Sequence, residues 1–386
     1  MIRAGCGIAA DMDAVAAADR ASCDALRRAG IDRAEAALVI ASAACGSSIP
    51  AAVEAACRTL GTGCVAGASA HVVMGDGVET RESPAILVLA FTGLDASALL
   101  VDELRGEEGR AGQDIASQLA AATGPDDLVI LMPDGHGLLT RPLLDSVRQH
   151  LAPATVVGFG AAEVAHGAGL SWRGRDVVSA GVSALVLRPS RAARIAIAPA
   201  FRVLGEHCSV SRARGNWLLT LDGRPALDVY REMARGPLAE DLRRAARFLL
   251  LAVVRGDADS PHSTSLVARN VVGFDERRGA ISLPEPLDPG VRVAFVLRDE
   301  VAAREQLSAA LSRLGSRAPD LGVYFGCRGA GFGHDGLEAG YLAGAYPGAP
   351  IAGVQGAFQI GPARPEARGG AEELLGYAGV LALIDG

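Results

Sequence analysis

A chain of 386 residues, half of them apolar, is longer than one compact core requires and predicts two domains, 1–189 and 190–386. A net charge of −7 argues against non-specific nucleic-acid binding, which needs a basic face. All 37 basic residues are arginine, so Schiff-base lysines, Ser–Lys dyads and the lysine of a phosphate-binding loop are excluded.

The N-terminus, MIRAGCGIAADMD, lacks the basic-then-apolar layout of a signal peptide, and the seven cysteines include no CxxC pair. Reduced thiols in a cytoplasmic protein are therefore expected. Residues 2–8 predict a strand and 11–29 a helix stopped by Gly30. The uncharged run 36–53 is long enough to span a membrane, but Gly46, Ser47, Ser48 and Pro50 break it into a strand (37–43), a turn and a helix start, with no membrane association. The helix continues to Leu60, and GCVAG (63–67) is a returning strand.

The same strand, loop, helix and strand recur twice. The second copy is expected to open with AILVLAF (85–91), then a helix at 112–122, LVILMP (128–133), the turn Asp134-Gly135-His136-Gly137, a helix at 141–151 and TVVG (155–158). The third is expected to open with VRVAFVL (291–297), followed by a helix at 299–314, the strand LGVYFG, a glycine-dense turn, a helix to Tyr346 and the strand at 350–353. Gly67, Gly158 and Gly353 fall at matching places, 29, 30 and 31 residues after Leu38, Leu128 and Gly322. A further glycine follows each (Gly75, Gly167, Gly361), then another apolar strand. The expected fold class is mixed α/β: repeated strand-loop-helix-strand units forming β-sheets covered by helices. A smaller strand-and-helix segment is expected at about 191–285, including a hairpin around Glu276–Gly279.

Several stretches carry a family resemblance. They are GCVAGASAHVVMGDGVETRESPAILVLAF (63–91), RARGNWLLTLDGRPALDVYREM (212–233), VARNVVGFDERRGAI (267–281), YFGCRGAGFGHDG (324–336) and the close from APIAGVQGAFQIGP. Together they resemble the FIST family, with its N-terminal and C-terminal halves in order over most of the chain. The resemblance implies a non-catalytic, cytoplasmic sensory module that binds a small metabolite such as an amino acid, with a signalling protein as a further partner. It also implies an alternative, a partner-binding scaffold like the corresponding region of F-box proteins. One departure stands out: Ala357, Phe358 and Gln359 occupy positions where the family commonly carries Asn-Gly-Glu.

The candidate ligand-binding residues lie at the loops that follow the first strand of each unit. In the third unit they are Cys327, Arg328, Gly329, Phe332 and His334, joined by Gln355 and Gln359 on the returning strand and turn. A cysteine beside a cationic arginine and a helix start has a lowered pKa, and Arg328 could pair with a carboxylate through two parallel hydrogen bonds. A catalytic alternative would use Cys327 with His136 or His334. Asp134 and His136 occupy the second loop, Cys45 and Ser47 the first. Gly331 to Gly336 fits G-x-G-x-x-G, but no acid about 20 residues on would hold a ribose, so no cofactor is expected. The dispersed histidines give no metal-ligand spacing.

Overall fold

In the structure, a computed structural model, all residues are described except 82, 137–139, 166, 236–237, 239, 256–264, 328–335 and 364–371 and the side chains of 140, 165 and 327. The first unit comprises β1 (Arg3–Ala10), α1 (Ala14–Ala29), β2 (Ala36–Ser42), α2 (Ile49–Leu60), β3 (Val65–Ala70), a hairpin of β4 (Val72–Gly75) and β5 (Val78–Arg81), and β6 (Ala85–Thr92). Asp13 caps α1 by accepting from the N–H groups of Val15 and Ala16, and Gly30 ends it in the left-handed conformation at φ 64°. β2 and most of β6 are buried on both faces, which is why they read as unbroken apolar runs.

The second unit repeats the plan with β7 (Asp95–Val101), α3 (Ala111–Ser117), β8 (Leu128–Pro133), α4 (Thr140–Leu151), β9 (Thr155–Phe159), the short β10 (Glu163–Ala165), a hairpin of β11 (Ala168–Arg173) and β12 (Asp176–Ser179), and β13 (Val182–Arg188). The third begins with β14 (Arg194–Pro199). A long segment then intervenes, with β15 (Phe201–Arg214), β16 (Trp217–Leu221), β17 (Arg224–Pro225), α5 (Ala226–Met233), α6 (Leu242–Ala245), β18 (Leu249–Arg255), β19 (Ser265–Arg269), β20 (Gly273–Asp275), β21 (Ala280–Ser282) and β22 (Arg292–Arg298). The unit resumes with α7 (Glu300–Leu314), β23 (Leu321–Cys327), α8 (Leu337–Ala345), β24 (Ile351–Gly356), a hairpin of β25 (Gln359–Pro362) and β26 (Glu372–Leu375), and β27 (Ala378–Ile384).

The strand orders correct two expectations. AILVLAF does not open the second unit: as β6 it closes the first, lying antiparallel between β1 and β2. VRVAFVL does not open the third: as β22 it pairs with β15 and β18 in the segment's own eight-stranded sheet. The edge strand of the third unit is β14, antiparallel to β27. The separate segment thus runs from 201 to 298, later at both ends than the expected 191–285. Its core gathers around Tyr230, Phe295, Leu218 and Leu251.

Each unit lends its hairpin to a neighbour. The orders are β1-β6-β2-β3-β11-β10, β7-β13-β8-β9-β25-β26 and β14-β27-β23-β24-β4-β5. The second unit therefore extends the first sheet, the third extends the second, and the first extends the third, closing a three-membered cycle. Three equivalent hydrogen bonds fasten the crossings: Ala162 N–H to Ser69 O at 2.8 Å, Ala357 N–H to Gly160 O at 2.9 Å and His71 N–H to Gln355 O at 2.9 Å. The donors stand four residues, and the acceptors two, beyond the repeated glycines Gly158, Gly353 and Gly67 or their counterparts.

Those glycines are required by close approach. A Cβ on Gly67 would overlap Val39 O and the Trp172 ring, and one on Gly353 would overlap Met74. Trp172 and Met74 belong to the borrowed hairpins and lie opposite these glycines in register. On the inner side the three sheets share one core, including Ile40, Leu87, Ile130, Phe159, Val323, Phe325 and Val380. The outer faces are covered by helices: α1 and α2, α3 and α4, and α7 and α8 respectively. Among the described residues no helix is long and apolar enough to cross a membrane.

Candidate functional site

The carboxyl end of β23 is where the first unit's hairpin meets the third unit's helix. Tyr324 and Gly326 lie two apart and share the face of β23 turned to α8. Glu338, in the first turn of α8, comes down onto that face and is 1% exposed. Tyr324 Oη donates to Glu338 Oε1 at 2.6 Å, and Gln355 Nε2 donates to Glu338 Oε2. Gln355, 2% exposed, accepts from Arg81 Nη1 at 3.3 Å. Arg81 also pairs with Glu79, whose buried carboxylate accepts the Gly336 N–H at 3.0 Å at the start of α8. Five side chains from two units thus form one buried network, and Gly326 makes room for it: a Cβ there would stand 2.9 Å from Glu338 Oε1.

Across the same strand end, Gln359 is fully buried and its Nε2 donates to Gly326 O at 2.7 Å. Among the described residues its Oε1 has no hydrogen-bond partner. A buried carbonyl left without a donor costs about 1–3 kcal/mol, so it is poised to accept a hydrogen bond.

Burial pushes the Glu338 carboxyl up to about 7. The hydrogen bonds from Tyr324 and Gln355 oppose the rise, the Glu79 carboxylate adds to it, and Arg81 opposes it. Near neutral pH this group sits between donor and acceptor. Chemically the cluster gathers two carboxyl groups, an amide, a phenol and one guanidinium, which bond to one another. Among the described residues of the cluster there is no Ser, Cys or Lys nucleophile paired with a base.

Of the residues expected from sequence, Gln355 and Gln359 are brought together at Gly326, and Cys327 is the last residue of β23. The Cys327 side chain and Arg328, Gly329, Phe332 and His334 lie outside the described residues. The other two loops are bonded into their own surroundings. Asp134, fully buried, accepts from Arg105 Nε at 2.9 Å and Nη2 at 2.7 Å, and from the Gly169 N–H at 2.8 Å. His136 stands 3.8 Å from Glu163 on a half-exposed rim. Cys45 is buried against Ser42 and Ala85 O, and burial pushes its thiol pKa up, while Ser47 is exposed.

Sequence reasoning missed Glu338, Tyr324, Glu79 and Arg81. One signal was present: Glu338 is the lone charge in the otherwise apolar helix LEAGYLAGA. An acid on a helix apolar all round has no polar face to occupy.

The FIST N domain matches residues 35–224 and the FIST C domain residues 226–362. An uncharacterized protein of Mycobacterium tuberculosis is 27% identical over 315 residues, 79% of this chain and 79% of that protein. An uncharacterized protein of Mycobacterium bovis is 25% identical over 392 residues, 99% of each. Among solved structures, a cyanuric acid hydrolase from A. caulinodans aligns with TM-score 0.27 and 11% identity over 48% of this chain and 70% of that one, and nothing is inferred from it.

Proposed function

The chain belongs to the FIST family, whose domains are known as sensory and signalling modules, and on that premise we propose that it is a non-catalytic cytoplasmic sensor of an amino acid or related zwitterion. The observation that carries this reading is the buried network of Glu338, Tyr324, Gln355, Arg81 and Glu79. Hydrophobic packing alone needs no such cluster, since buried charged groups are costly unless paired. An α-ammonium group matches the carboxyl groups of Glu338 and Glu79; a carboxylate matches Arg81. The site joins the two halves proposed to divide near residues 189–190, because Glu79 and Arg81 come from the first and the rest from the second. Ligand binding would thereby tighten the contact between halves, a change that a signalling protein can read.

A thermal-shift screen of amino acids and small amines tests the reading. A ligand at a hundredfold excess over its Kd stabilises by about 2.7 kcal/mol, and the shift should vanish in Glu338→Gln. A folded protein that no member of the screen shifts would remove the proposal.

A further inference from the structure

A cleft of about 1020 Å³ lies between the third unit and the intervening segment, well apart in sequence from the Glu338 network. We propose that it is a second binding site, for an amphipathic monocarboxylate. The volume is that of a site for a small organic molecule, and junctions between structural units are where such sites occur.

Its walls combine an apolar floor with a cationic rim. Ile195 and Ile197 occupy the register of β14 that packs on the shared core, yet both remain half-buried, so part of their surface opens to the cleft. Val267 on β19 belongs to the same core as Ile195 and Ile197, and its neighbour Leu266 also lines the cleft. Among the described residues three arginines line the cavity, against one acid, Glu305. They are not equivalent. Arg194 is spent on structure, donating to both Asp385 oxygens and to the carbonyls of Leu314 and Arg317. Arg202 makes an ion pair to Asp299 at 3.5 Å, and Arg313 one hydrogen bond to Ile197 O at 3.3 Å. A guanidinium carries five N–H donors, so both retain donors for a carboxylate. Ser265, also on the lining, keeps a buried hydroxyl that has no partner among the described residues. An apolar chain along β14 and β19 with its carboxylate toward Arg313, at the end of α7 remote from Arg202, follows this lining.

Titration calorimetry of the full chain with decanoate, decanol and octanoate tests the assignment. Decanoate should bind one per chain. Decanol should bind about tenfold more weakly for want of the charge-assisted hydrogen bond. Octanoate, two buried methylenes shorter, should also be about tenfold weaker. Ile197→Trp should abolish binding by filling the cleft, and Arg313→Ala, a rim change that leaves the core intact, should weaken decanoate but not decanol. Glu338→Gln should leave decanoate binding unchanged, which separates this site from the amino-acid site. Equal affinity for decanoate and decanol, no decanoate binding at all, or decanoate binding that survives both cleft variants would overturn the proposal.

Discussion

At the crossing between the first two units, Ser69 spends its hydroxyl on the backbone, donating to Ala162 O at 2.6 Å and accepting from the Leu170 N–H at 3.0 Å. At the equivalent crossing of the third unit, Gln355 reaches past the backbone to Glu338 and Arg81. The second unit has Gly160 there, with the Phe358 ring where a side chain would go. Three copies of one backbone arrangement thus hold a structural hydroxyl, an aromatic plug and a charged network. The scaffold does not demand a polar amide at this position, since the first two units carry a serine and a glycine there. That contrast is the reason for locating function in the third.

The comparison breaks first if the crossings are not the common scaffold. Gly67→Val should cost more than about 4 kcal/mol or prevent folding, because the new side chain meets backbone and a buried ring at once. Gly63→Ala, with no neighbour within 4 Å, is the control and should leave the urea midpoint nearly unchanged. Next, Arg105→Ala should cost about 3 kcal/mol by leaving Asp134 buried without its cation. A small effect in denaturant melts would mean that the second loop is not held structurally and is open to a functional role.

The third prediction sharpens the contrast through pH. The folded-state pKa of Glu338, about 7, stands above the ordinary carboxyl value of 4.5, so the folded chain holds its proton where the unfolded chain has lost it. That contribution is fully present below about pH 4.5 and is lost as pH rises through about 7. Wild-type stability should therefore fall by roughly 2 kcal/mol more than that of Glu338→Gln between about pH 5 and about pH 7. Parallel pH profiles for the two proteins would show that the carboxyl is not desolvated as described.

The smallest effect concerns helix starts. Asp13→Ala should cost about 1 kcal/mol, whereas Ser48→Ala should cost less than about 0.5 kcal/mol, because Ser48 makes no side-chain capping bond to α2. Thermal melts of the two variants compare them directly.

Much of each unit was legible in the sequence for physical reasons. Strands buried on both faces must be continuous apolar runs, and close approach at the crossings admits only glycine, so β2, β8 and the three glycines stood out. The hairpin exchange did not, because β4, β11 and β25 carry no mark of which sheet they join; long-range packing decides that. β14 was assigned to the wrong body because residues 201–298 separate it from its own unit, while VRVAFVL, nearer in sequence to α7, has the same apolar look. Gln355 and Gln359, named from the returning strand and turn, meet at Gly326. Glu79 and Arg81 could not be so named, since the chain brings them to Glu338 only through the borrowed hairpin.

The central claim is that the charged crossing of the third unit holds a zwitterionic ligand. Titration calorimetry of the amino acid giving the largest thermal shift, against wild type, Glu338→Gln and Arg81→Ala, addresses it most directly. One site is expected in the wild type, with at least about a tenfold loss of affinity in each variant, the effect of one charge-assisted contact. Equal affinity in all three proteins would contradict it.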